Sequence, residues 1–157
     1  MTVDETGVAP VAREVTFEGF VADVEPGLRR ALVAAYGGQR GREATAEALS
    51  WAWENWDRVG AMDHPHAYLF RVGRSRTRPR RRRVVFDAPH VTEPQVEPGL
   101  GRALARLSER QRVAVVLVHG YGWTHREVAE LTGSRPTTIQ NHLERGLRKL
   151  RADLEAN

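Results

Sequence analysis

Two helix starts only twelve residues apart constrain this chain more than any other feature of it. Thr124 is followed three residues on by Glu127, the spacing of a reciprocal cap in which hydroxyl and carboxylate satisfy each other's backbone N–H. A helix should begin there, with Val128, Ala129 and Leu131 on its buried side. Gly133 then lets the chain turn sharply. Pro136, whose fixed φ suits a first helical turn, opens a second helix carrying Ile139, Leu143, Leu147 and Leu150 on one face. So short a joint leaves neither helix independent: this is helix-turn-helix spacing. Burying those four residues leaves Thr137, Thr138, Gln140, Asn141, Glu144, Arg145 and Arg148 outward, a set rich in groups that bond phosphates and base edges.

The rest of the chain is also helical by pattern. Phe17, Phe20, Val21, Val24, Leu28 and Leu32 recur at three and four, with a break expected near Glu25 because Pro26 lacks a donor, and an end expected at Gly37–Gly38. A second helix should bury Leu49, Ala52, Trp53, Trp56 and Val59 and stop at Gly60, leaving Trp51 on the outer side. Asp63 is the expected N-cap of a third, opened by His64–Pro65, carrying Tyr68, Leu69 and Val72 and ending at Pro79. Residues 84–99 hold three prolines and read as an extended linker. Beyond it Leu100, Leu104 and Leu107 precede a second capping-box pair, Ser108 and Gln111, and a helix running to Gly120, which suits a left-handed C-terminal position. No strand pattern and no repeat is present. The expected fold is all-α: two small helical domains at residues 13–83 and 100–157, joined by a Pro-rich linker at 84–99, after a flexible N-terminus at 1–12.

Charge separates the parts further. Residues 1–70 carry six arginines against eleven acids, residues 71–83 eight arginines and no acid, and residues 84–157 ten basic against nine acidic side chains. A basic block of this kind suits a polyelectrolyte partner, nucleic acid above all, though a solvated arginine-rich linker has the same composition. The chain has no cysteine, which excludes disulfides, thiolate metal sites and cysteine nucleophiles. His64 and His66, two apart beside a proline, are too few for a metal site, and no Gly-rich phosphate loop or nucleophile-and-base set is visible, so no metal, no cofactor and no enzymatic activity is expected. No apolar run approaches the ~20 residues that span a bilayer, and an acidic MTVDETGVAP start is unlike a signal peptide. A cytoplasmic protein without membrane association is expected.

Several separate motifs carry a family resemblance. LARLSERQRVAVVLVHGYGW, THREVAEL and TTIQNHLERGLRKL, from Leu104 to Leu150, resemble in order and spacing region 4 of extracytoplasmic-function (ECF) type sigma factors, the dissociable subunits that bring bacterial RNA polymerase to promoters. AWENWDRV at Ala52–Val59, then HPHAYLFRVGR at His64–Arg74 before the basic block, is similar to region 2 of the same family. The resemblance covers most of residues 15–152. It implies that the second helix of the pair lies in the major groove of the −35 element, with Gln140, Asn141 and Arg145 on bases, Thr138 and Arg148 on phosphates, and Thr137 and Glu144 beside them. It implies capture of single-stranded −10 DNA through Asp63, His66, Tyr68, Arg71 and Arg74, and contact with core RNA polymerase through Trp51, Asn55 and Arg58. Further implied partners are promoter DNA, double- and single-stranded, and an anti-sigma protein, with the chain a monomer when free.

The sequence departs from the family pattern at Glu43–Ala48, where a run of acids with a glutamine is usual, and at Ser75, where asparagine is usual. It also departs at Arg135, a common serine cap, and at His142, a common arginine. Two other readings stay open from the residues: a stand-alone helix-turn-helix regulator, which would need a dimer to read two half-sites, and a degenerate sigma-like adaptor that binds polymerase or a partner without promoter melting.

Overall fold

The computed structural model describes residues 15–77 and 99–156; the expected N-terminal segment 1–12 and all of the linker but Gly99 lie outside them. Among the described residues every regular element is helical. Helix α1 (Phe17–Tyr36) starts at Thr16, whose hydroxyl accepts from Gly19 N at 3.2 Å. It passes through Pro26 without the expected break. The helix loses one backbone donor there, yet Val24, Leu28, Ala31 and Leu32 on both sides of the proline are all buried, and that burial outweighs one missing hydrogen bond. Gly37, at φ 85°, ends it as expected.

Helix α2 (Gly38–Glu54) folds straight back on α1. Its inner face is made of small residues, Gly41, Ala44, Thr45, Ala48 and Ala52, so the two backbones approach closely. At Gly41 a Cβ would stand 2.4 Å from Val33 Cα, so only glycine fits. Asn55 interrupts what the sequence suggests is one helix, its side-chain amide donating to Trp51 O at 2.9 Å, and a single turn α3 (Trp56–Val59) follows. Helix α4 (Pro65–Arg76) has Pro65 in its first turn, but His64 rather than Asp63 is the capping residue, and it makes no side-chain bond. Leu69, Phe70 and Gly73 of α4 face α1 and α2, with Leu28, Leu32 and Leu69 wholly buried between them.

The C-terminal half is α5 (Leu100–Arg106), α6 (Glu109–Val115), a π turn (Val116–Gly120), α7 (His125–Thr132) and α8 (Pro136–Glu155). The predicted box at the start of α6 is present: Gln111 N donates to Ser108 Oγ at 3.3 Å and Ser108 N to Gln111 Oε1 at 3.2 Å. Gly120 closes the π turn, but the left-handed residue is Gly122, at φ 71°. The widened π turn moves the change of direction two residues on. Lys149 donates to Arg106 O at 2.6 Å and Arg106 pairs with Asp153 at 3.5 Å, fastening α5 to the long α8.

The two halves are not separate in space. Buried residues of α1, α2 and α4 are continuous with those of α6, α7 and α8 in one apolar cluster. Where the halves meet lies Arg112, only 4% exposed, which donates from Nε to Ala34 O at 2.9 Å, from Nη2 to Ala35 O, and from Nη1 to Leu107 O at 2.8 Å. Ala34 and Ala35 lie in the last turn of α1, where carbonyls lack partners within the helix and a cation meets the negative end of the dipole. One guanidinium from the C-terminal half thus caps the main helix of the other.

Candidate nucleic-acid interface

The helix pair read from the sequence is built as its caps and turn residues require. Thr124 Oγ1 accepts from Glu127 N at 3.2 Å, while the Glu127 carboxylate accepts from Thr124 N at 2.7 Å and Thr124 Oγ1 at 2.9 Å. Those two bonds, the backbone one foremost, hold the Glu127 carboxyl below the usual carboxylate range. Gly133 adopts φ 65°, ψ 31°, and both its N–H and that of Ser134, at 2.9 Å, return to Ala129 O. The chain then enters α8 through Arg135 and Pro136, with no side-chain bond at the cap. Val128, Ala129 and Leu131 meet Ile139 and Leu143 inside, as predicted; Leu147 and Leu150 are half-buried further along.

That packing fixes which side of α8 is left over. Thr137, Gln140, Asn141, Glu144, Arg145 and Arg148 are all exposed and Thr138 is half-buried, so the predicted outward row forms one surface. Gln140 Nε2 donates to Glu144 Oε1 at 3.0 Å, which orients both side chains one turn apart. Amides can pair with adenine, a guanidinium with guanine, and a carboxylate can accept from the cytosine amine, so this row has the chemistry of a major-groove reading surface. Behind it His142 is half-buried, and burial first, then Arg110 and Arg145, hold its pKa below the ordinary histidine value.

Residues expected to meet single-stranded DNA and polymerase converge on one another. Trp51 lies against Tyr68, ring centroids 5.3 Å apart, with the Arg58 and Arg71 guanidinia over the Tyr68 ring at 5.4 and 5.9 Å. Aromatic faces beside guanidinia have the chemistry that base stacking and phosphate contact require. Asp63 is exposed in the loop before α4, and His66 is half-buried. Arg74 reaches across to Glu109 of α6 at 3.2 Å. Asn55 donates its amide to Trp51 O at the end of α2 and is half-buried.

One tryptophan was expected in the core and is outside it. Trp53 is 62% exposed, standing edge-on to Phe17 at 4.9 Å, while Trp51 is half-buried. The physical reason is the small-residue face: Ala48 and Ala52 point inward, and each further residue rotates 100°, which carries Trp53 outward. Following the Gly41, Ala44, Ala48, Ala52 spacing instead of the large apolar residues would have placed it. Arg112 was missed altogether, since an arginine between Gln111 and Val113 reads as surface until a partner helix end is found for it. Among the described residues, no group of three or more potential metal ligands occurs, and no helix is long and apolar enough to cross a membrane.

Comparison with known proteins agrees with this geometry. Residues 99–150 match the family model described as Sigma-70, region 4. Among solved structures the chain is similar to the sigma factor RpoE from Bartonella quintana, crystallised in complex with the anti-sigma factor NepR, with a TM-score of 0.63 and 21% sequence identity over 90% of this chain and 98% of that one. No curated protein matches it in sequence. The region 4 part of the resemblance read from the residues thus agrees with the family match over residues 99–150, and over nine tenths of its length the chain shares the all-α fold of that solved structure.

Proposed function

We propose that the protein is a dissociable promoter-specificity subunit of bacterial RNA polymerase. The observation that carries this reading is the capped α7–α8 pair with its exposed row of amides, acid and arginines, within the segment that matches sigma region 4. In this reading α8 lies in the major groove of the −35 element, with Gln140, Asn141 and Arg145 on base edges, Glu144 accepting from a cytosine amine, and Thr137, Thr138 and Arg148 on the backbone. Asp63, His66, Tyr68, Arg71 and Arg74 take single-stranded −10 DNA by stacking and phosphate contact, and the Trp51, Asn55 and Arg58 side of α2–α3 rests on core polymerase. The chain does no covalent chemistry of its own, works in the cytoplasm, and has an anti-sigma protein as a further partner, as RpoE has NepR.

Run-off transcription with purified core polymerase, this protein and genomic fragments tests the reading. New 5′ ends that share a −35/−10 pair are the expected result. Binding to core polymerase without new starts would point to an adaptor, and no binding at all to a stand-alone regulator.

A further inference from the structure

A carboxylate is an unexpected group on a surface that meets a polyanion. Glu144 is exposed on the outer row of α8, and a duplex approaching that row brings its phosphates with it. Among the described residues no ion pair neutralises Glu144; its partner is the Gln140 amide, whose Nε2 donates to Oε1 at 3.0 Å. An unpaired carboxylate there weakens binding to every sequence alike. It is repaid only where a base edge offers it a donor.

The hydrogen bond between the two side chains decides what each of them offers to the groove. With one N–H held by the carboxylate, the Gln140 amide is fixed in one of its two flip states, and its Oε1 is left as an acceptor beside one spare N–H. Glu144 adds a second oxygen that can only accept. In the major groove adenine N6 and cytosine N4 are donors, whereas guanine O6 and thymine O4 are acceptors. An acceptor set against an acceptor makes no bond and leaves both stripped of water. Four residues along a helix rise about 6 Å, and base pairs stack about 3.4 Å apart, so the bases that the two side chains meet lie within two steps of each other.

We propose that Gln140 and Glu144 act as one reading unit, which selects on one strand two nearby bases that carry amino groups, cytosine at Glu144 and adenine or cytosine at Gln140, and rejects guanine and thymine at both. The inference rests on the promoter-reading assignment of α8 and adds to it a dependence of one side chain on the other. Cytosine suits Glu144 because its N4 donor has no acceptor beside it in the groove, while adenine sets N7 next to N6. Adenine suits Gln140 because the spare N–H serves N7 while Oε1 accepts from N6. Glu144 therefore does two things: it reads a base, and it keeps the Gln140 amide from turning its Nε2 toward a carbonyl. Asn141 and Arg145 take no part in the hydrogen bond, so the bases they meet should not depend on it.

The test uses the full-length chain with core polymerase on a promoter from which it initiates, with the −35 element randomised and the transcripts from each template counted by sequencing. The unaltered chain should require cytosine at one position, and adenine or cytosine at a second within two steps, by about tenfold or more over guanine or thymine. Glu144→Ala should relax both positions together and leave the others as they were. Glu144→Gln, whose amide can donate, should admit guanine and thymine where the carboxylate refuses them. Gln140→Ala should end selection at the second position and weaken that for cytosine severalfold, because the carboxylate is no longer held. Both side chains are exposed, so their loss leaves the core intact, and circular dichroism checks this. Relaxation at a single position under Glu144→Ala would show two independent readers and overturn the unit. A pattern that Glu144→Ala leaves unchanged, or an unaltered chain with no position confined to amino bases, overturns the selection itself. An unaltered chain that initiates nowhere sinks the promoter reading instead, and the run-off assay shows that before any variant is made.

Discussion

At the scale of single residues the chain separates into groups that shape the fold and groups that face outward. Arg145 is exposed on α8 and is the cation assigned to base edges in the proposed function. Replacing it with alanine should reduce transcription from the protein's own promoter by roughly 10- to 100-fold, as loss of one bidentate base contact does, while binding to core polymerase by gel filtration stays unchanged. Arg135 caps α8 with no side-chain bond. Arg135→Ser supplies a hydroxyl there and should raise stability by about 1 kcal/mol in urea titrations, and an unchanged midpoint would show that the backbone turn already satisfies the α8 start. His142 adds a pH dependence. Its folded pKa is held down, so below the ordinary histidine value the unfolded chain binds the proton more readily. The stability present above that value is lost as pH falls through it toward the folded one. The drop in melting temperature between about pH 7.5 and pH 5 should therefore be larger in the unaltered chain than in His142→Gln.

At the scale of elements, two joints decide the architecture. The α1–α2 hairpin depends on the missing side chain at Gly41, where the space a Cβ needs is filled by the Val33 backbone, which has no flexible end to move aside. Gly41→Ala should cost about 1–3 kcal/mol or more by forcing the helices apart, measured as a lowered urea midpoint with native helix content. The α7 start depends instead on reciprocal hydrogen bonds. Thr124→Ala removes the acceptor for Glu127 N and one of the two donors to the carboxylate, leaving the backbone donor in place, and should cost about 1 kcal/mol. The same box gives a second pH effect of matching sign: its contribution is complete above the ordinary glutamate range and is lost as pH falls through the lowered value.

At the scale of the whole molecule, the continuous core joins halves that composition and prolines suggest are independent. A shared core makes unfolding cooperative, so the unaltered chain should melt in a single transition by both calorimetry and tryptophan fluorescence. Two resolved transitions would show that the contact between halves is too weak to couple them. The contact between the halves is of mixed character. It joins apolar burial to a few polar contacts, Arg112 on α1 and Arg74 on Glu109 among them, that parting returns to water.

The all-α class, the two capping boxes, the Gly37 and Gly133 turns, the proline entry to α8 and its outward row were legible in the sequence by itself. Each rests on interactions within one turn or one helical period, and neighbours in the chain suffice to specify them. Only the tertiary structure decided that α1 runs through Pro26, that Trp53 faces water while Trp51 lies on Tyr68, and that Arg112 is interior. Those outcomes depend on partners far away in the chain: the apolar burial that offsets a lost backbone bond, the small face that sets the rotation of α2, and the helix end that makes a buried guanidinium stable. Local pattern fixes where helices start and which way they face water, whereas the cost of burying a charge or losing a donor is settled only by what packs against it.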